Sequence, residues 1–510
     1  MRSPRVLKAA AALFVLGAIA AVAVAVLARE SPETDPPELG RDAGLWPAPN
    51  QNLSSTRATP GSPITSSTVS SLRPVWRFRF PGRPGPSGIL ASTPLAVGGR
   101  VYVQDLNSGV YALDLASGRL VWETRPRAPN TGPNGLAFGY GRVYAATDAA
   151  AFALDAKTGR RTWRTRLAGP SEQFVQTAPL VADGLVYMST VGLPPGGRGA
   201  LYALDADDGR IIWRFATIRE PWRFPRLAGG GGAWYPPSAD GEGRVYTGTS
   251  NPGPWGGTPE LPNGAAFPGP VPYTDSLLAL DARTGELLWH DQVTPHDVRD
   301  HDFQLSPILA ASETDEGERE LLIGGGKAGR VMAWDRETRE RLWEAEVGMH
   351  RNDSGPLPRR EVAVCPGLLG GVETPMAYSA GRVFAAVVDL CARGSATSYD
   401  RLRDLDPASG TGRLVALEAA TGQRLWERRL RTPAFGCATV ASDVVFTTTY
   451  GGVVRAFQAE DGVNLWRARL RAGSNSCPAV AGDTLLAGAG VPRAGARRSA
   501  LELVAFRLEG

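Results

Sequence analysis

The sequence predicts an all-β fold, a β-propeller of eight blades, and three observations carry that prediction. A short fragment recurs along the chain with fixed spacing. Strand-like runs lie upstream of most copies. The two ends of the chain hold complementary halves of one further copy. The fragment reads Tyr111-Ala112-Leu113-Asp114, then Gly118, then Trp122, and returns with its Trp at 163, 213, 289, 343, 426 and 466. In all seven copies an Asp, Glu or Gln lies eight residues before the Trp. Repeats at a period of roughly 40 to 50 residues indicate a solenoid or a propeller.

In chain order, the N-terminus opens with a basic tip, residues 1–8, carrying Arg2, Arg5 and Lys8. Residues 9–28 follow without a charge, long enough to span a bilayer. Positive charge ahead of this run holds the N-terminus in the cytoplasm and sends the rest of the chain outside. The length favours an uncleaved transmembrane helix over a cleaved signal, with cleavage after Ala28 as the alternative. Residues 29–45 are an acidic, Pro-rich spacer. Residues 46–510 are expected to be the propeller.

Within the propeller, residues 73–80, with Trp76, read as a Trp strand without a partner before it. Residues 501–508 read as the strand before the turn, where the chain stops. Pairing the two completes an eighth blade and leaves no open edge. In each copy alternating apolar residues form a strand, Asp-x-x-Thr-Gly or its variant forms a turn, and the next strand carries Trp. That hairpin is the outer half of a four-stranded blade, and its Trp is a plate that wedges between neighbouring sheets. Two long insertions precede Trp289 and Trp426, and insertions in a rigid repeat carry function or cover a face.

Net charge is +4 with no basic stripe, which argues against nucleic acid as a partner. Cys365, Cys391, Cys437 and Cys477 suit an oxidising compartment and two disulfides. None has zinc-ligand spacing, and no Cys-x-x-Cys-His haem motif occurs. Cys437 and Cys477 each lie six residues before an Asp on adjacent inner strands, so they are placed to bridge. No serine or cysteine nucleophile motif supports a hydrolase.

Propeller topology puts the connections opposite the Thr-Gly turns on one mouth, where four unusual features fall. Thr294–Asp302 holds His296, His301 and three aspartates, in a chain with only four histidines. Thr249-Ser250-Asn251-Pro252 opens an insertion. Gly324–Gly329 surrounds Lys327, one of three lysines. Trp234 follows four glycines and stands apart from the repeat tryptophans. Taken singly each fits an ordinary loop or packing role; together they outline a pocket.

Here the chain resembles the pyrroloquinoline quinone (PQQ) dependent alcohol and sugar dehydrogenases. The resemblance covers residues 45–510 and includes Trp46-Pro47, Thr56-Arg57 and Leu72–Trp76. Its most specific part is His296-Asp297-x-x-Asp300. It implies Asp300 as the general base and Lys327 against the quinone oxygens. It also implies Asn251 and Asp300 as ligands of a calcium ion, and Trp234 as the floor beneath the cofactor. Thr177 and Glu373 fall at further cofactor positions, and Cys365–Cys391 resembles a family disulfide. The implied reaction oxidises an alcohol or sugar: Asp300 takes the hydroxyl proton as hydride passes to the quinone, and calcium acts as a Lewis acid. No haem domain is attached, so electrons would leave through a separate acceptor.

Departures from the family pattern are specific. Asn130–Gly135 replaces a loop with adjacent cysteines, Asn134 stands for a carboxylate-binding Arg, and Pro194 for a calcium-binding Glu. Ala91 stands for a Glu, Glu373 for an Asn and Arg299 for a Trp. These leave a second expectation open: a non-catalytic propeller that binds a ligand, an envelope polymer or a protein partner.

Overall fold

Alternating apolar residues and Gly-bearing turns build the expected antiparallel meanders. The computed structural model describes residues 35–39 and 45–509, apart from 131, 170–172, 194–195, 220–223, 225–226, 228, 268, 315–316 and 494–499. The basic tip, the apolar run 9–28, most of the Pro-rich spacer and Pro194 lie outside the described residues. Among those described there is no α-helix, only strands and short 3-10 turns. The fold is an all-β propeller.

The first complete meander joins Leu95–Val97, Arg100–Gln104, Val110–Asp114 and Leu120–Thr124 in sequence order. The same four-stranded order recurs along the chain as far as Gly436–Ala441 through Asn464–Arg469. A sheet of different connectivity pairs Leu72–Arg79 from the start of the chain with Glu502–Leu508 from its end, next to Thr484–Ala489 and Ala479–Ala481. Register runs from Leu72 opposite Leu508 to Arg79 opposite Glu502. The expected pairing of 73–80 with 501–508 is therefore present, each strand differing by one residue at its bounds.

The repeat has a physical explanation in contacts between consecutive sheets. Trp163 donates its Nε1–H to the Ala206 carbonyl of the next sheet at 3.0 Å. Its ring fills the space over Gly209, where a Cβ would lie 2.5 Å from the indole. Gly209 also has a φ of +76°, which suits glycine. Trp76, Trp122, Trp213, Trp343 and Trp426 likewise donate to the carbonyls of Leu115, Ala156, Ala282, Ala419 and Ala459 and cover Gly118, Gly159, Gly285, Gly422 and Gly462. Only glycine leaves room for the plate, and the turn Asp is tied down locally: Asp155 accepts from Thr158 N and Oγ1 at 2.9 and 2.6 Å. Trp289 differs, because the matching turn position of the next sheet is Arg339, held at φ +67°.

Residues 46–62 lace along the first strands of successive sheets. Trp46 bridges Ala96, and the carbonyls of Pro47, Leu53, Ser54, Thr56 and Arg57 accept from Phe138, Ala239, Leu309, Tyr378 and Val440. Ala58–Thr59 then runs parallel to Val440–Ala441. Arg57 is fully buried and donates to the carbonyls of Ala438 (2.9 Å), Pro49 (2.8 Å) and Pro478 (2.9 Å), to Asn50 Oδ1 (3.1 Å) and to Thr439 Oγ1 (2.8 Å).

Both expected disulfides are formed, with Cα separations of 4.5 Å for Cys365–Cys391 and 5.0 Å for Cys437–Cys477. The two insertions meet. Val362–Val364, Ala392–Ser395 and Ser398–Tyr399 make a small separate sheet. Asn263 of the first insertion donates its backbone N–H to Ala396 at 2.6 Å and exchanges side-chain bonds with Leu357 at 2.8 and 3.1 Å.

Candidate functional site

The stretch Thr294–Asp302 leaves the strand Leu287–Gln292 and leads towards Ile308–Thr314 of the next sheet. Asp297 organises it. Its two carboxylate oxygens accept from the backbone N–H groups of Arg299 (2.7 Å) and His301 (2.6 Å), a turn stabilised by its own aspartate. Asp300 lies within that turn at φ +66°. Arg299 points away and donates to the carbonyls of Asn352, Ser354 and Gly355 at 2.8, 2.9 and 2.6 Å, fastening a neighbouring loop. His301 is buried beside the Pro366 carbonyl at 3.0 Å, and burial pushes its imidazole down to about 4, so the ring is neutral.

Lys327 sits in the turn between Gly317–Gly325 and Arg330–Asp335. Its Nζ lies 2.8 Å from Asp300 Oδ2 and 2.5 Å from Asp302 Oδ2. Close backbone approach makes this possible. A Cβ at Gly326 would come 1.9 Å from the Asp302 carbonyl, and one at Gly371 would come 2.2 Å from the Lys327 carbonyl. Asp302 also accepts from the Asn251 backbone N–H at 2.6 Å, which joins the first insertion to the Thr294–Asp302 stretch.

Asn251 is itself held against the glycine run before Trp234. Gly231 N donates to the Asn251 carbonyl at 2.8 Å and Ser250 N to the Gly232 carbonyl at 2.9 Å. Trp234 is half-buried on the irregular segment ahead of the inner strand Ser238–Ala239, and its indole N–H has no partner. The next residue, Tyr235, donates to the Glu373 carbonyl at 2.9 Å, and Gln304 Nε2 donates to Glu373 Oε2 at 3.0 Å.

The structure thus brings Asp300 and Lys327 into direct contact, with Asn251 one residue removed through Asp302. Trp234 lies on the segment paired with that of Asn251, and Glu373 faces Lys327 electrostatically. Thr177 is further out. It is buried, donates to the Ala178 carbonyl at 3.1 Å, and lines a small pocket with Ser189, Tyr235 and Pro237.

Electrostatics set the character of this cluster. Burial and the neighbouring Asp302 push the Asp300 carboxyl well above the ordinary range, while Lys327 pulls it down. Burial disfavours the Lys327 ammonium, but Asp300, Asp302 and Glu373 outweigh that and hold it charged. Burial raises Glu373 to about 7, opposed by Lys327 and Gln304. Asp297 rises to about 6 through burial, opposed by its two N–H donors.

Sequence reasoning missed two members of the site. Asp302 lies inside the singled-out stretch but had no role assigned to it. Asp275 is fully buried, and burial and its electrostatic neighbours Asp297, Asp302 and Asp300 push its carboxyl well above the ordinary range, opposed by the Phe303 backbone N–H. A single Asp ahead of an apolar strand carries no periodic signal.

Asn251, Asp300 and Asp302 carry oxygens of the kind a hard cation takes, and in this structure the Lys327 ammonium meets Asp300 Oδ2 and Asp302 Oδ2. Lys327 and Trp234 are the residues the sequence resemblance sets against the quinone oxygens and ring face. The loop at Asn134 differs, because its amide donates to the Asp105 carbonyl at 3.0 Å instead of presenting a cation. A second acidic group, Glu346, His350 and Asp353, is already engaged by Arg330, 3.4 and 3.1 Å from the two carboxylates.

Comparison with known proteins agrees with this picture. Residues 327–510 match the family of the outer membrane protein assembly factor BamB. The chain is 29% identical over 337 residues to the quinohemoprotein alcohol dehydrogenase ADH IIB of Pseudomonas putida, covering 59% of this chain and 47% of that protein. It is 25% identical over 517 residues to methanol dehydrogenase [cytochrome c] subunit 1 of Paracoccus denitrificans, covering 82% and 78%. The chain spans about half the length of the first of these relatives. The crystal structure of quinohemoprotein alcohol dehydrogenase from Comamonas testosteroni superposes with a TM-score of 0.80 at 23% identity, over 92% of this chain and 81% of that one. Residues 46–351 match the glucose/ethanol/alcohol dehydrogenase β-propeller family, and the chain belongs to that PQQ-dependent family.

Proposed function

We propose that this chain is the propeller of an extracytoplasmic quinoprotein dehydrogenase that oxidises an alcohol or sugar with PQQ and a calcium-like cation. The reading rests on one observation above all: Asp300 and Lys327 in contact at 2.8 Å, tied through Asp302 to Asn251. Asp300 would accept the substrate hydroxyl proton on its carboxylate. Lys327 would stabilise charge on the quinone oxygens, since its ammonium is already desolvated and held charged. Asn251, Asp300 and Asp302 would hold the cation, and Trp234 would support the ring system. When bound, the quinone supplies the two-electron oxidant and the cation the Lewis acid. Asp297 keeps Asp300 in place, and Arg299 anchors the loop beside it.

In this proposal residues 46–510 form eight blades closed by the pairing of Leu72–Arg79 with Glu502–Leu508. Residues 9–28 anchor the chain in the cytoplasmic membrane, and electrons leave to a separate acceptor. The test is reconstitution of the purified protein with PQQ and calcium. A bound-quinone spectrum and dye reduction by an alcohol are expected, and Asp300→Asn should keep the spectrum while losing reduction by about 10²–10⁴-fold. Absence of bound quinone at saturating cofactor would move the assignment to a second reading, a non-catalytic envelope-binding propeller. The match of residues 327–510 to the BamB family favours that alternative.

A further inference from the structure

Residues 35–39, inside the Pro-rich spacer, lie as a clip across two turns of neighbouring sheets. Glu38 Oε2 accepts from Tyr140 N at 3.2 Å and its Oε1 from Gly141 N at 3.4 Å. Asp35 Oδ1 accepts from Asp183 N at 3.3 Å. Pro36 is buried, and a Cβ at Gly139 would come 2.9 Å from its Cγ. Leu39 N closes the clip on the Pro36 carbonyl at 2.9 Å. The two turns are themselves joined, because Gly184 N donates to the Tyr140 hydroxyl oxygen at 2.8 Å.

Register fixes the face on which the clip lies. Arg142 stands opposite Asp155, and Ala156 N donates to the Gly141 carbonyl at 3.0 Å. Leu185 stands opposite Asp205, and Ala206 N donates to the Gly184 carbonyl at 2.9 Å. Both clipped turns therefore sit beside the Asp-bearing turns. Those turns follow one another on one face, since Ala156, Ala206 and Ala282 are each gripped by the Trp of the sheet before. Asp300 and Asn251 belong to the other end of the sheets. Leu280 pairs with Leu287 beside the turn 281–285, whereas Ser276 pairs with Gln292, from which the chain goes on to the Thr294–Asp302 stretch. Gly248, three residues before Asn251, pairs with Leu277 at that same end. The strand Ser276–Asp281 has 6 residues, so the site stands about 20 Å from the clipped face.

We infer that the face carrying the Thr-Gly turns is turned to a lipid bilayer, and that residues 35–39 hold it there. This rests on the proposed anchor at residues 9–28. Ala28 and Asp35 are seven Cα steps apart, at most about 25 Å of chain. Without the clip the leash runs on to Trp46, which the Ala96 bridge holds, and its reach grows to about 60 Å. The clip therefore shortens the leash and sets its attachment on one side of the propeller. Ser117, Thr158 and Thr284 at the turns are polar and exposed, so this face meets lipid headgroups and stays out of the acyl layer. The mouth with Asp300 and Lys327 then opens away from the bilayer, and substrate and electron acceptor reach it from the aqueous phase.

The experiment uses the full-length, quinone-free protein in vesicles of phosphatidylcholine and phosphatidylglycerol. A fluorophore is placed on one added cysteine: Lys157→Cys at a turn beside the clip, or Ser354→Cys on the exposed loop that Arg299 fastens near the site. Energy transfer to an acceptor on the lipid headgroups is read. Transfer is expected to be at least twofold more efficient from residue 157 than from residue 354. Asp35→Ala with Glu38→Ala opens the clip and should bring the two efficiencies together. Vesicle-bound protein with equal transfer from both sites, or more from residue 354, overturns the orientation and leaves the anchor standing. A difference that survives opening of the clip overturns the role of residues 35–39. Protein that does not float with the vesicles on a density gradient overturns the anchor, and the orientation with it.

Discussion

At the scale of single residues, the site is governed by how one lysine is shared between two carboxylates. Lys327 lowers the proton affinity of Asp300, while burial and Asp302 raise it, and the balance lies above the ordinary carboxylate range. In the proposed function Asp300 is a general base that works ionised, so turnover should fall as pH drops through that raised value. Replacing Lys327 with Met removes the downward pull. The acid limb of kcat/KM should then move to higher pH and kcat should fall about 10²–10³-fold. An unmoved limb would show that Asp300 is not the titrating base.

Glu373 gives a stability prediction. Its carboxyl is raised from 4.5 to about 7 in the fold, so folding favours the protonated form. The resulting penalty is absent below 4.5 and complete above about 7, and stability from this group falls as pH rises between those values. In quinone-free protein, Glu373→Gln should flatten that slope and gain at most about 3 kcal/mol above neutrality. Identical pH slopes in denaturant titrations of both proteins would refute it.

Asp300, Lys327 and Asn251 were legible because each lies in an unusual local run: a His-Asp cluster, a lysine among glycines, an Asn-Pro. Asp275 and the bridging role of Asp302 were not. Their meaning lies in which loop they face, and that is set by strands far away in the chain.

At the scale of the element, the recurrent Gly and Trp are two halves of one joint, and each half belongs to a different sheet. The repeat was therefore readable as periodicity, but the sequence did not show that the Trp of one copy clasps the Gly of the next. Gly209→Ala places a methyl against the Trp163 ring and strains a positive φ. It should destabilise by about 2–4 kcal/mol, measured by chemical denaturation, whereas an alanine at exposed Gly241 of similar φ should cost about 1 kcal/mol. Equal losses would remove the joint from the explanation. The small sheet of Val362–Val364, Ala392–Ser395 and Ser398–Tyr399 had no sequence signal, because its strands are short and lie inside insertions without periodicity. The Cys365–Cys391 disulfide braces its base across a sequence separation of 26. Cys365→Ser with Cys391→Ser should cost about 2–4 kcal/mol on the loop-closure account. Peptide mapping of the native protein should recover both disulfide links.

At the scale of the whole molecule, Arg57 shows what the opening segment contributes. Its guanidinium satisfies acceptors from residues 49, 50, 438, 439 and 478, and burial pushes its pKa down to about 9. Arg57→Ala strands those acceptors without water and should lower stability by about 3–5 kcal/mol. Sequence reading marked Thr56-Arg57 only as part of a resemblance; its acceptors at Ala438, Thr439 and Pro478 lie 381, 382 and 421 residues away along the chain.

The lacing of residues 46–62 has a consequence for biogenesis. The part of the propeller made first binds the parts made last, and Leu72–Arg79 waits for Glu502–Leu508. A polypeptide lacking Glu502–Leu508 leaves Leu72–Arg79 without its partner strand. A ribosome that stalls, or a protease that trims the final strand, leaves a bare hydrogen-bonding edge at the opposite terminus. Folding dominated by such distant pairings is slow, so the newborn chain is exposed to aggregation until Glu502–Leu508 emerge.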